Sequence, residues 1–379
     1  MKRVLILGGG FGGLAAATRL RQRLPEGYEV LLVDRQPRFM AGLRKSWALV
    51  GAAEFGPGER RLASLEGRGI RFVQGEIGSI DPQGRSAIVG GQRIEGDALV
   101  VALGAQHAPE TVPGFSEHVL NVYDRAELPR AARAIREFRG GRLGIGIFAS
   151  PYVCPPAPFE MACLVREALA ARGVEASVEV FSPAGMTLPV LGASSCAIIE
   201  ARLAEHGVGF LANHKAASVE AGKVNFQDGS RDYDLLLGVP PHRCPRVVVE
   251  SGLTEGAPWA RLDPAALETR FPGVYAIGDC TEVPLANGLP LPKAGVFAEA
   301  QGIACAERIA AGLLGGSSDA RFTGEGYCYL EVGAGTAMRV AGNFLATPAP
   351  AIQVEEPSTQ ALAAKRAFEA DRLREWFGG

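Results

Sequence analysis

The chain carries no working excess of either charge: 39 Lys and Arg stand against 41 Asp and Glu in 379 residues, a formal net charge of -2. Without a basic excess it lacks the electrostatic footprint of nucleic-acid binding, and no nucleic-acid partner is expected. No apolar run approaches the ~18 residues needed to cross a bilayer. There is no Cys-x-x-Cys and no His/Cys cluster at ligand spacing, so no metal site is expected. The five histidines are scattered and read as surface or hydrogen-bonded residues rather than catalysts. Cysteine is absent before Cys154, and the seven present do not read as a structural disulfide framework. What remains is a chain 47% hydrophobic and 21% charged, enough apolar material for two or three domains.

A run of glycines stands at residues 8–13. Val4-Leu5-Ile6-Leu7 reads as a short apolar strand running into Gly8-Gly9-Gly10-Phe11-Gly12-Gly13, and Leu14-Ala15-Ala16-Ala17 begins a helix. Gly8, Gly10 and Gly13 fill G-x-G-x-x-G, whose glycines give the tight turn, access for a pyrophosphate and close helix-strand packing. The next strand, residues 30–33, ends in Asp34, placed roughly 20 residues on to bind a ribose diol. The order strand, turn, helix, strand, acid predicts an adenine dinucleotide. Lys2-Arg3 and the apolar residues after them mimic a secretory signal, but they are also this first strand, so the chain is expected to stay unexported.

Two distant segments specify the dinucleotide. Residues 97–104 form a strand closing on Ala102 and Gly104, and residues 273–279 end another in Gly278-Asp279. They resemble the second and third signatures of flavoproteins with two dinucleotide domains, in which the aspartate of Gly-Asp binds the ribityl chain of FAD. By itself Asp279 also suits a helix N-cap ahead of Thr281 and Glu282. The expected FAD contacts are Gly8, Gly10, Phe11, Gly12, Gly13, Asp34, Arg35, Ile77, Ala102, Gly104, Gly278, Asp279 and Lys293.

A second strand-turn-helix unit lacks the glycines of the first. Residues 143–149 read as a buried strand and 159–172 as the helix after it. The turn between them is Ser-Pro-Tyr-Val-Cys-Pro-Pro-Ala-Pro, residues 150–158. It has no glycine to let a backbone approach a pyrophosphate, and its prolines remove N–H donors that would hold an anion. Cys154 stands where a nicotinamide enzyme needs glycine. Cys163, Cys196 and Cys305 lie in helical patterns and read as inert core residues, Cys280 as packing and Cys244 as a loop residue open to either reading.

Taken along the chain, residues 1–107 and 249–318 make one discontinuous FAD-binding domain, 108–248 a second Rossmann-like domain without a nucleotide fingerprint, and 319–379 a small C-terminal domain carrying Cys328. Within them, 71–77 and 86–89 read as strands, 124–138 as an amphipathic helix, 178–181 and 233–239 as strands, and 297–314 as a helix.

The three FAD signatures together with Cys154-Pro155-Pro156-Ala157-Pro158-Phe159-Glu160, Pro292-Lys293-Ala294-Gly295 and Gly326-Tyr327-Cys328-Tyr329-Leu330-Glu331-Val332-Gly333 resemble the sulfide:quinone oxidoreductase and flavocytochrome c sulfide dehydrogenase family. The resemblance covers almost the whole chain. It implies an α/β fold of the glutathione-reductase type and a redox-active disulfide between Cys154 and Cys328 facing the flavin. It makes Glu160 a mover of protons, against the plain reading of an exposed helix-first-turn acid favoured by the dipole. It also places Lys293 where its charge would stabilise reduced anionic flavin. Members of the family often tether FAD through an early cysteine; none precedes Cys154, so noncovalent FAD is expected, and release of long polysulfide chains is not.

The implied activity is FAD-dependent oxidation of sulfide, with electrons passed to a quinone. Alternatives are a c-type cytochrome as acceptor, an NAD(P)H-dependent reductase of the same superfold, and an FAD-containing thiol-disulfide sensor. Leu362, Leu373, Trp376 and Phe377 fall on one arc of a C-terminal helix, with Lys365, Arg366, Arg372 and Arg374 interspersed. Such an arc suits a membrane interface near a quinone, or the protein's own body. The expected location is the cytoplasm, with peripheral contact on the inner face of the cell membrane.

Overall fold

Two parallel five-stranded sheets organise the chain, and the computed structural model describes residues 1–378 of it. The first sheet runs in the order Val274–Ala276, Ala98–Val101, Lys2–Leu7, Tyr28–Asp34, Arg71–Gln74. Val4 to Leu7 and Val30 to Val33 are buried, as continuous apolar runs are in a parallel sheet covered on both faces. The helix Phe11–Arg23 lies against the helix Gly295–Leu313, so the layer beside the first sheet is built from segments almost 300 positions apart.

The second sheet runs Leu120–Asn121, Leu235–Val239, Gly141–Ile147, Ala176–Phe181, Val208–Leu211, again all parallel. A short antiparallel ribbon, Gln106–His107 with His242–Arg243, marks where the chain leaves the first sheet and where it returns. Glu325–Gly333, Thr336–Asn343 and Ala351–Val354 form an antiparallel sheet, followed by the helix Thr359–Phe377. The Ser358 hydroxyl caps that helix by accepting from the Ala361 N–H at 3.0 Å.

The segment read as one strand, 71–77, is two. Arg71–Gln74 completes the first sheet, whereas Ile77–Asp81 pairs antiparallel with Ser86–Val89 in a separate three-stranded sheet. The break falls at Gly75, whose N–H donates to the Asp34 carbonyl at 3.0 Å and ends the parallel ladder.

The C-terminal helix turns its apolar arc inward. Leu362, Phe368, Leu373 and Trp376 are buried, and Trp376 stands edge-on to Phe11 and Phe39 with ring centroids 5.2 and 5.4 Å away. Phe377 stacks on Phe39. Burying these side chains satisfies the hydrophobic driving force within the chain, so the arc is not offered to a lipid surface. Among the described residues no helix is long and apolar enough to cross a membrane.

Candidate active site

The glycine turn is built for close approach. A Cβ on Gly13 would lie 1.8 Å from the Gly8 carbonyl oxygen, so only glycine lets the helix start against the strand end. A Cβ on Gly10 would meet nothing within 4 Å; that face opens onto empty space in front of the helix N-terminus. Asp34, at the end of the second strand, accepts from the Gly9 N–H at 2.6 Å and the Gln36 N–H at 2.7 Å, which fixes its carboxylate beside the turn.

Two cavities meet at this turn. An outer one of about 660 Å³ is lined by Gly8, Arg35, Glu76, Ile77 and Leu103, and an inner one of about 420 Å³ by Phe11, Gly12, Cys154, Gly278, Asp279 and Cys328. Gly10, Asp34, Ala102 and Gly104 border both, so they form one elongated cleft crossing the N-terminus of the helix Phe11–Arg23. That shape suits a dinucleotide whose pyrophosphate sits on the helix dipole, adenosine outward and isoalloxazine inward. Burial pushes the Asp279 carboxyl up to about 6, with Lys293 opposing, as befits an acid that meets hydroxyl groups rather than water. The donor set and the cleft fit FAD, and FAD is the cofactor. A shallower concavity of about 810 Å³ lies at the far end of the second domain around Arg142, Asp232 and Asp234; no cysteine lines it, so volume alone does not mark the site.

Cys154 and Cys328 both line the inner cavity, from different domains, as free thiols. The Cys154 side chain opens onto cavity space, and its depth in the protein together with Glu160 pushes this thiol up to about 12 while Lys365 and Lys45 oppose. Burial likewise raises Cys328 to about 12, with Cys154 the next cause, which places the two sulfurs in each other's field.

Glu160 is not an exposed helix-first-turn acid. It is 3% exposed in the first turn of the helix Ala157–Ala171, and its Oε2 lies 2.6 Å from Lys365 Nζ and accepts from the Glu331 N–H at 3.1 Å. Lys365, 2% exposed, also donates to Glu331 Oε2 at 3.0 Å, and that same oxygen accepts from Trp47 Nε1 at 2.8 Å. The result is a buried carboxylate-ammonium-carboxylate cluster behind the thiols. Lys365 is its member on the cavity wall.

Lys293 departs from its expected role. Its ammonium donates to the Asp279 and Thr281 carbonyls at 2.8 and 3.0 Å and sits 3.3 Å from the Trp259 ring centroid. It therefore braces the Gly-Asp turn from behind instead of entering the inner cavity, and burial lowers it to about 8. Its backbone does reach the thiol turn: the Cys154 N–H donates to the Lys293 carbonyl at 2.7 Å. The histidines are not all scattered either. His107 and His242 pack with centroids 4.9 Å apart, and Tyr123 stands 5.8 Å from His242 and 6.5 Å from His107. Sequence reasoning missed Lys365 as an inward residue, Glu331, Trp47 and Tyr123; no local pattern flags them, because their partners lie up to 284 positions away.

The profile of the pyridine nucleotide-disulphide oxidoreductase family matches residues 2–136. The mitochondrial sulfide:quinone oxidoreductase of Mus musculus is 24% identical over 300 residues, covering 74% of this chain and 66% of that protein. The sulfide-quinone reductase of Aquifex aeolicus is 24% identical over 331 residues, covering 81% and 76%. The crystal structure of the Aquifex aeolicus sulfide:quinone oxidoreductase superposes with a TM-score of 0.89 at 21% identity, over 100% of this chain and 92% of that one. The chain is thus similar to sulfide:quinone oxidoreductases over most of its length and shares their fold. Cys154 and Cys328 stand at the inner end of the cleft that fits the flavin.

Proposed function

We propose that this chain is an FAD-dependent sulfide dehydrogenase that works through a Cys154–Cys328 disulfide and delivers electrons to a quinone. The observation that supports the reading is that both thiols, from different parts of the chain, line the inner cavity of the cleft, Cys154 on a turn that has no glycine for a nicotinamide nucleotide and Cys328 on the strand Glu325–Gly333. In the oxidised pair, HS⁻ attacks one sulfur: a new S–S bond forms as a persulfide, the old one breaks, and its electron pair leaves on the other sulfur as a thiolate. The outer sulfur of the persulfide then leaves on a nucleophilic acceptor such as a second sulfide, and the two cysteine thiolates rejoin as the disulfide, giving up two electrons for which FAD, when bound, would be the acceptor.

The chain's own residues serve the step from two sides. Lys365 keeps positive charge near the thiolate, which favours the leaving sulfur. Glu160, held to Lys365, is the group through which a proton leaves or returns beside the cysteines. The aromatic wall of Tyr327, Tyr329 and Phe368 in the same cavity offers a flat apolar surface for a quinone ring.

The test is anaerobic. Sulfide should bleach the flavin of the holoprotein rapidly and stoichiometrically, with NADH and NADPH leaving it oxidised, and added quinone should restore the colour. Rapid, saturable bleaching by a nicotinamide nucleotide would move the chain to the reductases. Reduction of the cysteines without consumption of sulfide would make it a sensor.

A further inference from the structure

Cys154 holds a backbone conformation that its residue type disfavours. Its φ is +52°, in the left-handed region where a Cβ crowds the backbone, and such residues persist only when their surroundings over-determine them. Three hydrogen bonds hold it there. The N–H donates to the Lys293 carbonyl from the FAD domain at 2.7 Å. The carbonyl accepts from the Ala157 N–H at 3.0 Å and from the Tyr123 hydroxyl at 3.1 Å. The first two are main-chain bonds that any sequence could make; the third depends on one side chain.

Tyr123 is itself fixed. It is buried, its N–H donates to Asn121 Oδ1 at 2.9 Å, and its carbonyl accepts from Lys45 Nζ at 2.5 Å. Lys45 stands on the short helix Arg44–Leu49 of the FAD domain, and no carboxylate pairs with it among the described residues. A rigid path therefore runs from the FAD domain through Lys45 and the Tyr123 ring to the carbonyl of the reactive cysteine. Neither residue lines the inner cavity.

We propose that Tyr123 is a positioning residue that holds Cys154 in its left-handed conformation and so sets the reactivity and redox poise of that sulfur, with Lys45 as its anchor. The role in turnover rests on the sulfide-dehydrogenase reading; the hold on the Cys154 turn does not. Releasing the carbonyl lets the turn relax, and the sulfur spends less time facing the flavin and Cys328.

Tyr123→Phe removes one hydroxyl from the holoprotein. Alkylation of Cys154 by iodoacetamide in the reduced protein should slow at least about threefold, read by mass spectrometry of the Cys154 peptide. The equilibrium constant of the Cys154–Cys328 couple should shift by up to about tenfold, about 30 mV for two electrons. The rate of sulfide bleaching should fall while FAD content stays at the parent level. Tyr152→Phe is the comparison, because the Tyr152 hydroxyl donates to the Pro155 carbonyl at 2.9 Å, one residue beyond the cysteine. Parent-like alkylation and potential in Tyr123→Phe, or equal shifts in Tyr152→Phe, would overturn the proposal. If the parent itself ignores sulfide, the function assigned above fails and the alkylation rates alone decide the clamp. Should Tyr123→Phe not fold, Asn121→Ala releases the Tyr123 N–H without changing any charge and must slow alkylation likewise.

Discussion

Replacing Lys365 by methionine leaves a side chain of similar length and removes the cation from between two buried carboxylates. In the parent, Lys365 Nζ lies 2.6 Å from Glu160 and 3.0 Å from Glu331, all three side chains being almost fully buried. Breaking a buried ion pair from one side costs about 3–5 kcal/mol, because the remaining charge has lost its partner but not its burial. Here two buried carboxylates remain with no cation between them. The Lys365→Met holoprotein should therefore be less stable than the parent by about 3–5 kcal/mol. Urea unfolding at saturating FAD reads this directly. Adding Glu160→Gln to Lys365→Met should restore a large part of the loss. A loss below about 1 kcal/mol would refute the assignment of these three groups as a charged cluster.

Three shorter expectations accompany it. Acid precipitation should release all of the FAD into the supernatant, since no cysteine precedes Cys154; flavin retained on the pellet would contradict noncovalent binding. Cys154→Ser and Cys328→Ser should each lower sulfide oxidation at least about 100-fold while keeping bound FAD, because each sulfur does a separate part of the exchange; parent-rate turnover by either variant would end the dithiol reading. Burial lowers His107 to about 4 and His242 to about 3, so both are neutral in the folded protein at pH 7. Their contribution is complete above the unfolded histidine value of about 6.5 and is lost as pH falls below it, on the order of 1–2 kcal/mol each at pH 5. Thermal unfolding of His242→Asn should show a shallower acid-side decline than the parent.

Legibility in the sequence followed the reach of each interaction. The first glycine turn, Asp34, Gly278-Asp279 and the parallel strands are local patterns, and each occupies the place its pattern specifies. The split of residues 71–77 was hidden because an apolar alternation does not say which of two sheets a strand joins. Lys293 shows a different limit: its position before the helix Gly295–Leu313 is legible, but the direction of a four-carbon side chain is set by the Trp259 face and two carbonyls that sequence does not place beside it. In the C-terminal helix the stripe was readable and its partner was not. Phe11 and Phe39, over 300 residues away, compete with lipid for Trp376, and they prevail.

That packing of Trp376 on Phe11 also sets an order of assembly. Phe11 belongs to the turn that receives the pyrophosphate, while Lys365 and Phe368, on the same last helix as Trp376, wall the inner cavity. The inner half of the cleft therefore gains its far wall only when the helix Thr359–Phe377 docks on the glycine turn. Contacts of such long sequence separation form late, after the loops between them have been closed. The outer cavity takes no wall from that helix, so the inner chamber is the part of the cleft whose enclosure depends on its docking.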